Sequence, residues 1–432
     1  MVKKFILFGL SLLYSTMFYA QTYSYDHLGI LFSKEDYRGS ARYNAMGGAF
    51  GALGGDVSAL YVNPAGGAVF SQSEISGALV LDTKYTNTKY YGTLTDNEYY
   101  NINIEVPHFG AVFVFDNPDY SSFWKKFSFG LNYSITNDFS NAYRVKGNND
   151  LNIAYSIEDD PTSPYNQTVE QVFKNEVKGY SSVFGFSFSS AYKDRLYLGA
   201  SINLHEIDFF QNTSLEEINQ HETVDSTQVV SYGDYLSELS QGISLGIGLI
   251  SRPTNHLRLG LSYRTPIWFY EISEEDDYNY LDYSLRTPGK LTASMAYIFN
   301  QYGLISLDYA TANFQNVYLS GPEDFSAENN DFKMALNNRQ QSVHLGTEWR
   351  LKQWSIRGGY LYRENPLKQA FPSDHTRGFS TGIGYKSGDT KFDVSYEKTS
   401  HTDFYGFYGA KTAPAELDID QSKITFGLSF VF

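Results

Sequence analysis

The chain of 432 residues carries 48 acidic and 33 basic side chains, a formal net charge of −15, and no cysteine. So acidic a chain lacks the positive footprint of a general nucleic-acid-binding protein, and the lack of cysteine excludes disulfides, thiolate metal sites and cysteine nucleophiles. Aromatic residues form 17% of the sequence, which excludes intrinsic disorder because disordered chains contain few of them.

Residues 1–20 have the pattern of a cleaved export signal. Lys3 and Lys4 form a short basic region, residues 5–18 form an apolar stretch, and Ala20 is a small residue at which cleavage can occur. The apolar stretch is shorter than the roughly 20 residues that a membrane-spanning helix needs. We therefore expect an exported protein whose mature chain begins at Gln21.

Residues 21–72 form a glycine-rich segment without strand periodicity, and only residues 26–32 and 56–61 indicate short helical pieces. A segment of about fifty residues without disulfides is too small to build a stable core of its own. This segment is therefore predicted to pack inside the rest of the protein, as a hatch or plug.

Residues 73–432 alternate apolar with small or polar side chains, the period of a β-strand with two different faces. The last strand is an example: Ile424, Phe426, Leu428, Phe430 and Phe432 share one face, and Thr425, Gly427 and Ser429 share the other. Across the strands the second face carries small and charged residues. A lumen accepts such residues, whereas an Arg facing lipid near the middle of a bilayer costs about 2–4 kcal/mol.

The connections between these strands alternate in length. The short ones are residues 193–195, 251–255, 300–302, 351–353 and 387–389, with 116–126 somewhat longer. The long ones are residues 87–98, 139–179, 210–235, 270–285, 316–338, 364–374 and 400–419. Short periplasmic turns that alternate with long external loops are typical of an outer-membrane barrel. The sequence therefore predicts an all-β fold, a transmembrane antiparallel β-barrel of about 14 strands over residues 73–432 with the hatch inside it.

Four runs in the glycine-rich segment are distinctive. They are Gly39-Ser40-Ala41-Arg42, Met46-Gly47-Gly48-Ala49-Phe50, Gly54-Gly55-Asp56-Val57-Ser58-Ala59-Leu60 and Asn63-Pro64-Ala65-Gly66. With these runs the segment resembles the N-terminal hatch of the FadL/TodX family of outer-membrane channels for hydrophobic compounds. The resemblance implies that Asn63, Pro64 and Ala65 pack against a kinked third strand, and that the kink opens the barrel wall toward the membrane. We expect the kink within residues 127–138, where Gly130 and Asn132 can relax the strand pairing.

The resemblance also implies a function. It is the passive transport of long-chain fatty acids or similar hydrophobic compounds across the outer membrane of a Gram-negative bacterium, through a hatch-occluded barrel with a lateral wall opening. The implied partners are a hydrophobic ligand, outer-membrane lipid and, during biogenesis, the barrel assembly machinery. We expect a monomer that is not an enzyme, with no catalytic residue, cofactor or metal and no nucleic-acid partner.

The two longest predicted loops contain apolar residues at roughly helical spacing, which are candidates for a ligand capture site. These residues are Val172, Phe173, Leu215, Ile218, Leu236 and Leu239. They can form either a ligand groove or a packed lid that keeps the loops folded.

Other functions fit the sequence less well. A protein-binding barrel that resembles the PorV component of the type IX secretion system is the main alternative, whereas a non-specific porin is disfavoured because the hatch would block a water path.

The glycines of residues 47–55 lack the βαβ unit of a dinucleotide site. The acidic runs 158–160 and 274–277 lack a calcium-loop pattern, and the lumen-facing His205 and His344 are better explained as hydrogen-bonded polar residues than as ligands.

The lumen-facing charges of the predicted strands carry both signs, which favours a salt-bridged lining that holds the hatch. They are Arg258, Arg264, Asp308, His344, Glu348, Arg350, Arg357, Arg363, Asp393 and Glu397. One arginine among them can instead bind a ligand carboxylate through a bidentate contact.

Overall fold

A computed structural model describes residues 22–96, 102–119, 121–149, 162–276, 280–408 and 412–432. The predicted signal peptide and the acidic run 158–160 lie outside these residues. Within the described residues, one antiparallel sheet contains all of the strands. They are β1 Glu74–Tyr90, β2 Thr93–Thr95, β3 Ile102–Asp116, β4 Trp124–Asp138, β5 Asn141–Gly147, β6 Gln167–Tyr192, β7 Leu196–Gln220, β8 Thr227–Ser251, β9 Leu257–Arg264, β10 Trp268–Asp276, β11 Tyr280–Arg286, β12 Lys290–Phe299, β13 Gly303–Ala312, β14 Tyr318–Ser320, β15 Gln340–Leu351, β16 Trp354–Arg363, β17 Thr376–Ser387, β18 Thr390–Tyr405 and β19 Ala415–Val431.

Fourteen of these strands close into a barrel. The order around the wall is β1, β3, β4, β6, β7, β8, β9, β12, β13, β15, β16, β17, β18 and β19. The last strand pairs with the first from Glu74↔Val431 to Lys89↔Glu416, so the ring has no free edge. The remaining strands extend the wall at the end opposite the short turns. The predicted all-β barrel is confirmed.

The two faces of the wall follow the predicted alternation. In β19 the side chains of Phe426, Leu428 and Phe430 are exposed on the outer face, whereas Thr425 and Lys423 are buried on the inner face. An apolar outer band over a polar lumen is the arrangement of a transmembrane β-barrel. The short turns are tight, and Lys193, Asp194, Asn300, Lys352 and Gly388 take positive φ in them.

Several of the predicted long loops contain strands instead, among them residues 270–285 with most of β10 and β11. Residues 139–179 contain β5 and much of β6. Residues 210–220 and 227–235 belong to β7 and β8, which are each 25 residues long. At about 3.3 Å per residue such strands reach well beyond the roughly 25 Å apolar band. The inner face of β7 changes from Ile207 and Phe209 to Gln211 and Thr213, all of them buried. The alternation therefore continues with polar residues, and this is why the sequence reads as a loop.

The helices are short. They are α1 Tyr25–Ser33, α2 Ala41–Ala45, α3 Ala59–Val62 and α4 Ser326–Ala335, with 3-10 turns at Pro64–Val69 and Phe314–Asn316. The helix predicted over residues 26–32 is therefore present, and of residues 56–61 only the end is helical. Ser40 caps α2 by accepting a hydrogen bond from the Tyr43 N–H. None of the helices in the described ranges has the length and apolarity to cross a bilayer.

The main apolar core lies in the extended half of the barrel. Leu28 and Phe32 of α1 pack there against wall residues such as Phe209 and Phe269, and Phe332 of α4 packs against the same cluster. A second cluster at this end joins Phe173 and Leu215 to Phe407. The extended half is therefore filled by side chains of both the wall and the N-terminal segment, which we define as residues 22–73.

Candidate functional site

The N-terminal segment is surrounded by the barrel wall. The Gly47 N–H donates to Ser380 Oγ of β17 at 3.1 Å, and the Gly51 N–H donates to Asp308 Oδ2 of β13 at 2.8 Å. On other sides, Asn44 Nδ2 donates to Thr425 Oγ1 of β19, and Asn63 Nδ2 donates to the Leu249 carbonyl of β8. Contacts on so many strands place the segment in the lumen.

Charged lumen residues hold this segment, as the sequence predicts. Glu35 is bound by Arg264, and by Lys290 with an Nζ–Oε2 distance of 3.2 Å. Arg42 Nε lies 2.7 Å from Glu348 Oε2. Burial alone would raise the pKa of the Glu35 carboxyl, but Arg264 and Lys290 outweigh burial and hold that pKa well below its usual range. Glu35 is therefore a charged anchor between the segment and the wall.

Asn63, Pro64 and Ala65 form the start of a buried turn. Asn63 Nδ2 donates to the Gly51 carbonyl at 2.7 Å, and Asn63 Oδ1 accepts from the Ala65 N–H. A Cβ atom on Gly199 of β7 would lie 2.4 Å from the Ala65 nitrogen, and one on Gly248 of β8 would lie 2.0 Å from Asn63 Oδ1. The tripeptide thus packs on β7 and β8, and its expected packing against the third strand, β4, stays a prediction. Gly67 of the same turn lies against Ser128 of β4.

The wall is interrupted between β3 and β4. These strands pair from Asp116↔Lys126 to His108↔Ser134. Beyond that point β3 continues its pairing with β1 and β4 continues with β6, but no backbone pairs join residues 102–107 to residues 135–138. We call this part of the described wall the wall break. Pro107 lies at its start, and β3 is bulged there against β1. A proline has no N–H for a ladder, so strand pairing commonly ends or bulges at one.

The N-terminal segment covers the inner side of the wall break. The backbone N–H groups of Asp36 and Arg38 donate to the Thr136 and Ile135 carbonyls of β4, at 2.7 and 2.9 Å. The Asp36–Arg38 stretch thereby takes backbone acceptors of β4 that β3 leaves free. On the outer side, Ile104 and Val106 of β3 are exposed, at 71% and 50% of their surface. The break thus has an apolar outer rim and a covered inner side.

Arg38 joins the strands around the break. Its Nη2 lies 2.5 Å from Asp82 Oδ2 of β1 and 2.9 Å from Asp138 Oδ2 of β4, and its Nη1 lies 2.9 Å from Glu105 Oε2 of β3. The Arg38 side chain is only 2% exposed. Sequence analysis missed both Arg38 and Pro107. A proline inside an alternating strand was the available signal for the break, whereas nothing in the sequence singles out Arg38 among the other arginines.

The residues expected at the kink lie elsewhere in β4. Gly130 pairs with Val112 and Ser187, and Asn132 pairs with Gly110 and Gly185, so both sit in regular ladders. The pairing of β4 with β6 is irregular between Ile135 and Asn137. The site proposed for the kink from sequence is therefore displaced. The absence of a side chain at Gly130 serves packing, because a Cβ there would lie 2.5 Å from Leu60 Cδ1 of the N-terminal segment.

A chamber of about 200 Å³ lies above the anchors and reaches the wall break. Its apolar lining includes Leu31, Phe139 and Ile267. Its charged lining carries both signs: the basic residues are Lys34, Lys84, Arg264, Lys290 and Arg363, and the acidic ones are Glu35, Asp36, Asp138, Glu364, Asp374 and Asp403. Lys84, Asp138 and Asn141 line both this chamber and a second cavity of about 10 Å³ at the break.

The six capture candidates do not form one groove. They lie on strands rather than on helical loops: Val172 and Phe173 on β6, Leu215 and Ile218 on β7, and Leu236 and Leu239 on β8. Phe173 and Leu215 share one apolar cluster, and Leu236 belongs to the other. Leu239 is 55% exposed on the outer face. The helical spacing is wrong because the alternation of extended strands brings other residues together.

His205 and His344, the two histidines that the sequence places in the lumen, have hydrogen-bond partners inside the protein. His205 Nε2 lies 2.8 Å from Ser244 Oγ, and His344 Nδ1 lies 2.7 Å from the Gly47 carbonyl. In the run 274–277 the described residue Glu274 accepts a hydrogen bond from Tyr25 OH at 3.0 Å. Within the described ranges, no three histidine or acidic side chains are grouped as metal ligands would be.

Comparison with known proteins identifies the fold. No protein-family model matches the sequence, and no curated protein matches it either. Among solved structures, a FadL homologue of Pseudomonas aeruginosa superposes with a TM-score of 0.59 at 14% identity, covering 91% of this chain and 98% of that one. The P. putida toluene transporter TodX gives 0.55 at 15% identity, and the Ralstonia pickettii toluene transporter TbuX gives 0.54 at 16%. Each of those two comparisons also covers 91% of this chain and 98% of the other. The chain therefore has the FadL/TodX-type barrel fold.

Proposed function

We propose that this protein is a passive outer-membrane channel for hydrophobic compounds, with long-chain fatty acids as its ligand class. In this proposal the N-terminal segment is the hatch, the external chamber receives the ligand, and the wall break is the lateral exit into the bilayer. The names of the compared proteins, a FadL homologue and two toluene transporters, support the hydrophobic class.

The wall break is the observation that carries the proposal. The free energy of a hydrophobic molecule falls by about 25 cal/mol for each Å² of its apolar surface that moves from water into lipid. A side exit therefore gives it a downhill path that needs no energy source. The exposed Ile104 and Val106 at the outer rim fit an exit that faces acyl chains.

The chamber supports an amphiphilic ligand in particular. Leu31, Phe139 and Ile267 offer an apolar surface, and Lys84, at the boundary with the break, offers a cation. Lys84 Nζ donates to the Ser140 carbonyl at 2.6 Å and so is held at that boundary. A fatty acid matches both surfaces, because its chain is apolar and its headgroup is a carboxylate.

The test closes the break covalently. The chain has no cysteine, so Glu105→Cys with Asp138→Cys introduces the only thiols, one on each side of the break. A short bifunctional methanethiosulfonate reagent then joins β3 to β4. The matched control is Ser262→Cys with Thr292→Cys, which joins two lumen-facing residues that are already paired across β9 and β12. Uptake of labelled oleate is measured in cells that lack their own fatty-acid channel.

We expect cross-linking of the break to abolish oleate uptake, reductant to restore it, and the control pair to transport in both states. Comparison of one variant before and after reduction cancels any effect of losing the Arg38 partners. Uptake that is unchanged by cross-linking would refute the lateral exit. No uptake by the unmodified chain at normal surface abundance would refute the transport function and favour a protein-binding barrel.

A further inference from the structure

The end of the lumen opposite the wall break contains a cavity of about 460 Å³, which we call the short-turn mouth. It lies beside the turns after β15 and β17, and Leu53 to Gly55 of the N-terminal segment form its inner side. Its charged lining is Arg42, Arg258, Glu348, Arg350, Lys352, Arg357, Lys386, Lys391 and Asp393.

Seven of those side chains are basic and two are acidic, in a chain with a net charge of −15. Glu348 is shared by Arg42, Arg350 and Arg357, with N–O distances of 2.7 to 2.8 Å. Asp393 is also bound to Arg357, at 2.6 Å. Both carboxylates are therefore already used by neighbouring guanidinium groups. Several like charges around a concave, partly desolvated surface attract an anion.

Arg258 is a basic residue of this lining with a hydrogen-bond donor that has no partner. It lies on the lumen side of β9, and its Nη1 donates to the Leu53 carbonyl at 2.5 Å. Its Nε is buried without a hydrogen-bond partner, and no carboxylate of the described chain forms a salt bridge with it. A partly buried guanidinium without a counter-ion is costly. A guanidinium also presents paired N–H groups that match a carboxylate or a phosphate.

We propose that the short-turn mouth is an oxyanion-binding site and that Arg258 is its principal ligand. The site takes a carboxylate or phosphate group, either free in solution or as the headgroup of an amphiphile. Lys352, in the turn after β15, and Lys386, near the end of β17, draw the anion toward Arg258 by long-range attraction. The proposal concerns the opposite end of the lumen from the wall break and holds or fails separately from the lateral exit.

Isothermal titration calorimetry on the full mature chain in a non-ionic detergent tests the site. The probes are decanoate below its micelle concentration, inorganic phosphate, and decanol as an uncharged match for decanoate. Arg258→Gln removes the charge and Arg258→Lys keeps it without the planar fork. Arg286→Gln is the matched control, because Arg286 is exposed on β11 at the other end of the barrel. Heat-dependent mobility on gels confirms that each variant retains its barrel.

We expect Arg258→Gln to weaken decanoate binding at least about tenfold, as loss of a bidentate charged contact should. Arg258→Lys should weaken decanoate binding to an intermediate degree, and Arg286→Gln should leave it unchanged. Decanol, which has no charge, should bind equally to the parent chain and to Arg258→Gln. If Arg258→Gln loses phosphate binding together with decanoate binding, the site accepts an oxyanion that is free in solution. If only decanoate binds, the site takes an amphiphile headgroup. Equal decanoate and phosphate affinities in the parent chain and a folded Arg258→Gln variant would overturn the proposal, as would no binding of either anion by the parent chain.

Discussion

At the scale of single residues, Arg38 shows how one side chain can hold a wall together without backbone pairing. Its guanidinium meets Asp82, Glu105 and Asp138, which come from three consecutive strands of the barrel. A buried ion pair is weak evidence of net stability, because desolvation offsets much of the attraction. Removal of one partner is different, since the remaining charges stay buried and repel each other. The cluster therefore makes closure of the break depend on Arg38.

Arg38→Ala should release the N-terminal segment from the wall break. Three carboxylates would lose their shared cation, and removal of one partner of a buried ion pair costs about 3–5 kcal/mol. Hydrogen–deuterium exchange should show faster exchange at residues 36–38, while strands on the opposite wall stay protected. Arg286→Ala, at an exposed site, should leave exchange unchanged. Unaltered protection at residues 36–38 in Arg38→Ala would contradict the anchoring role.

Glu35 gives the segment a predictable dependence on pH. Its pKa is held below the ordinary value of 4.5 by Arg264 and Lys290, so the folded state binds fewer protons at this group than the unfolded state does. The contribution of Glu35 is therefore complete above pH 4.5 and is lost as the pH falls through the folded pKa. Thermal unfolding of the parent chain and Glu35→Gln should differ by a constant amount from about pH 8 to about pH 5, and the difference should shrink below that range. Glu176→Gln, on an exposed pair, is the control. A difference that grows on acidification would contradict this assignment.

At the scale of elements, a strand is predicted correctly from the sequence where apolar and polar side chains alternate along its whole length. The alternation from Ile424 to Phe432 reports β19 correctly because lipid and lumen impose opposite demands on neighbouring residues. It fails in β6, β7 and β8 beyond the membrane, where water lies outside and polar residues such as Gln211 and Thr213 lie inside. There the two faces differ too little in polarity. The wall break depends on where the pairing of β3 with β4 ends, and strand periodicity does not report pairing. Pro107 is the one signal for it that we find in the sequence.

Docking of the turn that begins at Asn63 depends on two strands that leave room for it. In Gly199→Ala the new Cβ would lie 2.4 Å from backbone atoms of Pro64 and Ala65, which cannot rotate away. Overpacking of this kind costs about 1–3 kcal/mol. Limited proteolysis should therefore cut the N-terminal segment faster in Gly199→Ala, with the barrel intact. Gly77→Ala is the matched control, since its Cβ would meet only the His108 carbonyl at 3.9 Å. Equal proteolysis rates in the two variants would contradict docking on β7.

At the scale of the whole molecule, the barrel and its contents place opposite demands on the chain. The wall must be apolar outside, and this demand maintains the alternation that makes the fold predictable and recognisable at 14–16% identity. The lumen must instead match one particular segment, through pairs such as Glu35 with Arg264 and Arg42 with Glu348. Those partners are more than 200 residues apart in the chain. Their charges can be predicted as a group, but their pairing cannot be read from sequence spacing.

Occlusion by the N-terminal segment predicts a low ionic conductance for the intact protein. In planar bilayers the parent chain should show no steady ion current, because the anchored segment fills the lumen between the chamber and the short-turn mouth. Arg38→Ala combined with Glu348→Gln removes anchors at both levels of the lumen, and it should produce discrete conductance steps as the segment moves. Arg286→Ala combined with Glu176→Gln changes the same charges at exposed sites and should stay silent. Since an apolar solute can leave through the wall without a water path, oleate uptake by the silent parent chain would separate lateral exit from simple pore flow. A steady open-pore current in the parent chain would show instead that water and ions pass the segment, and the barrel would then act as a porin.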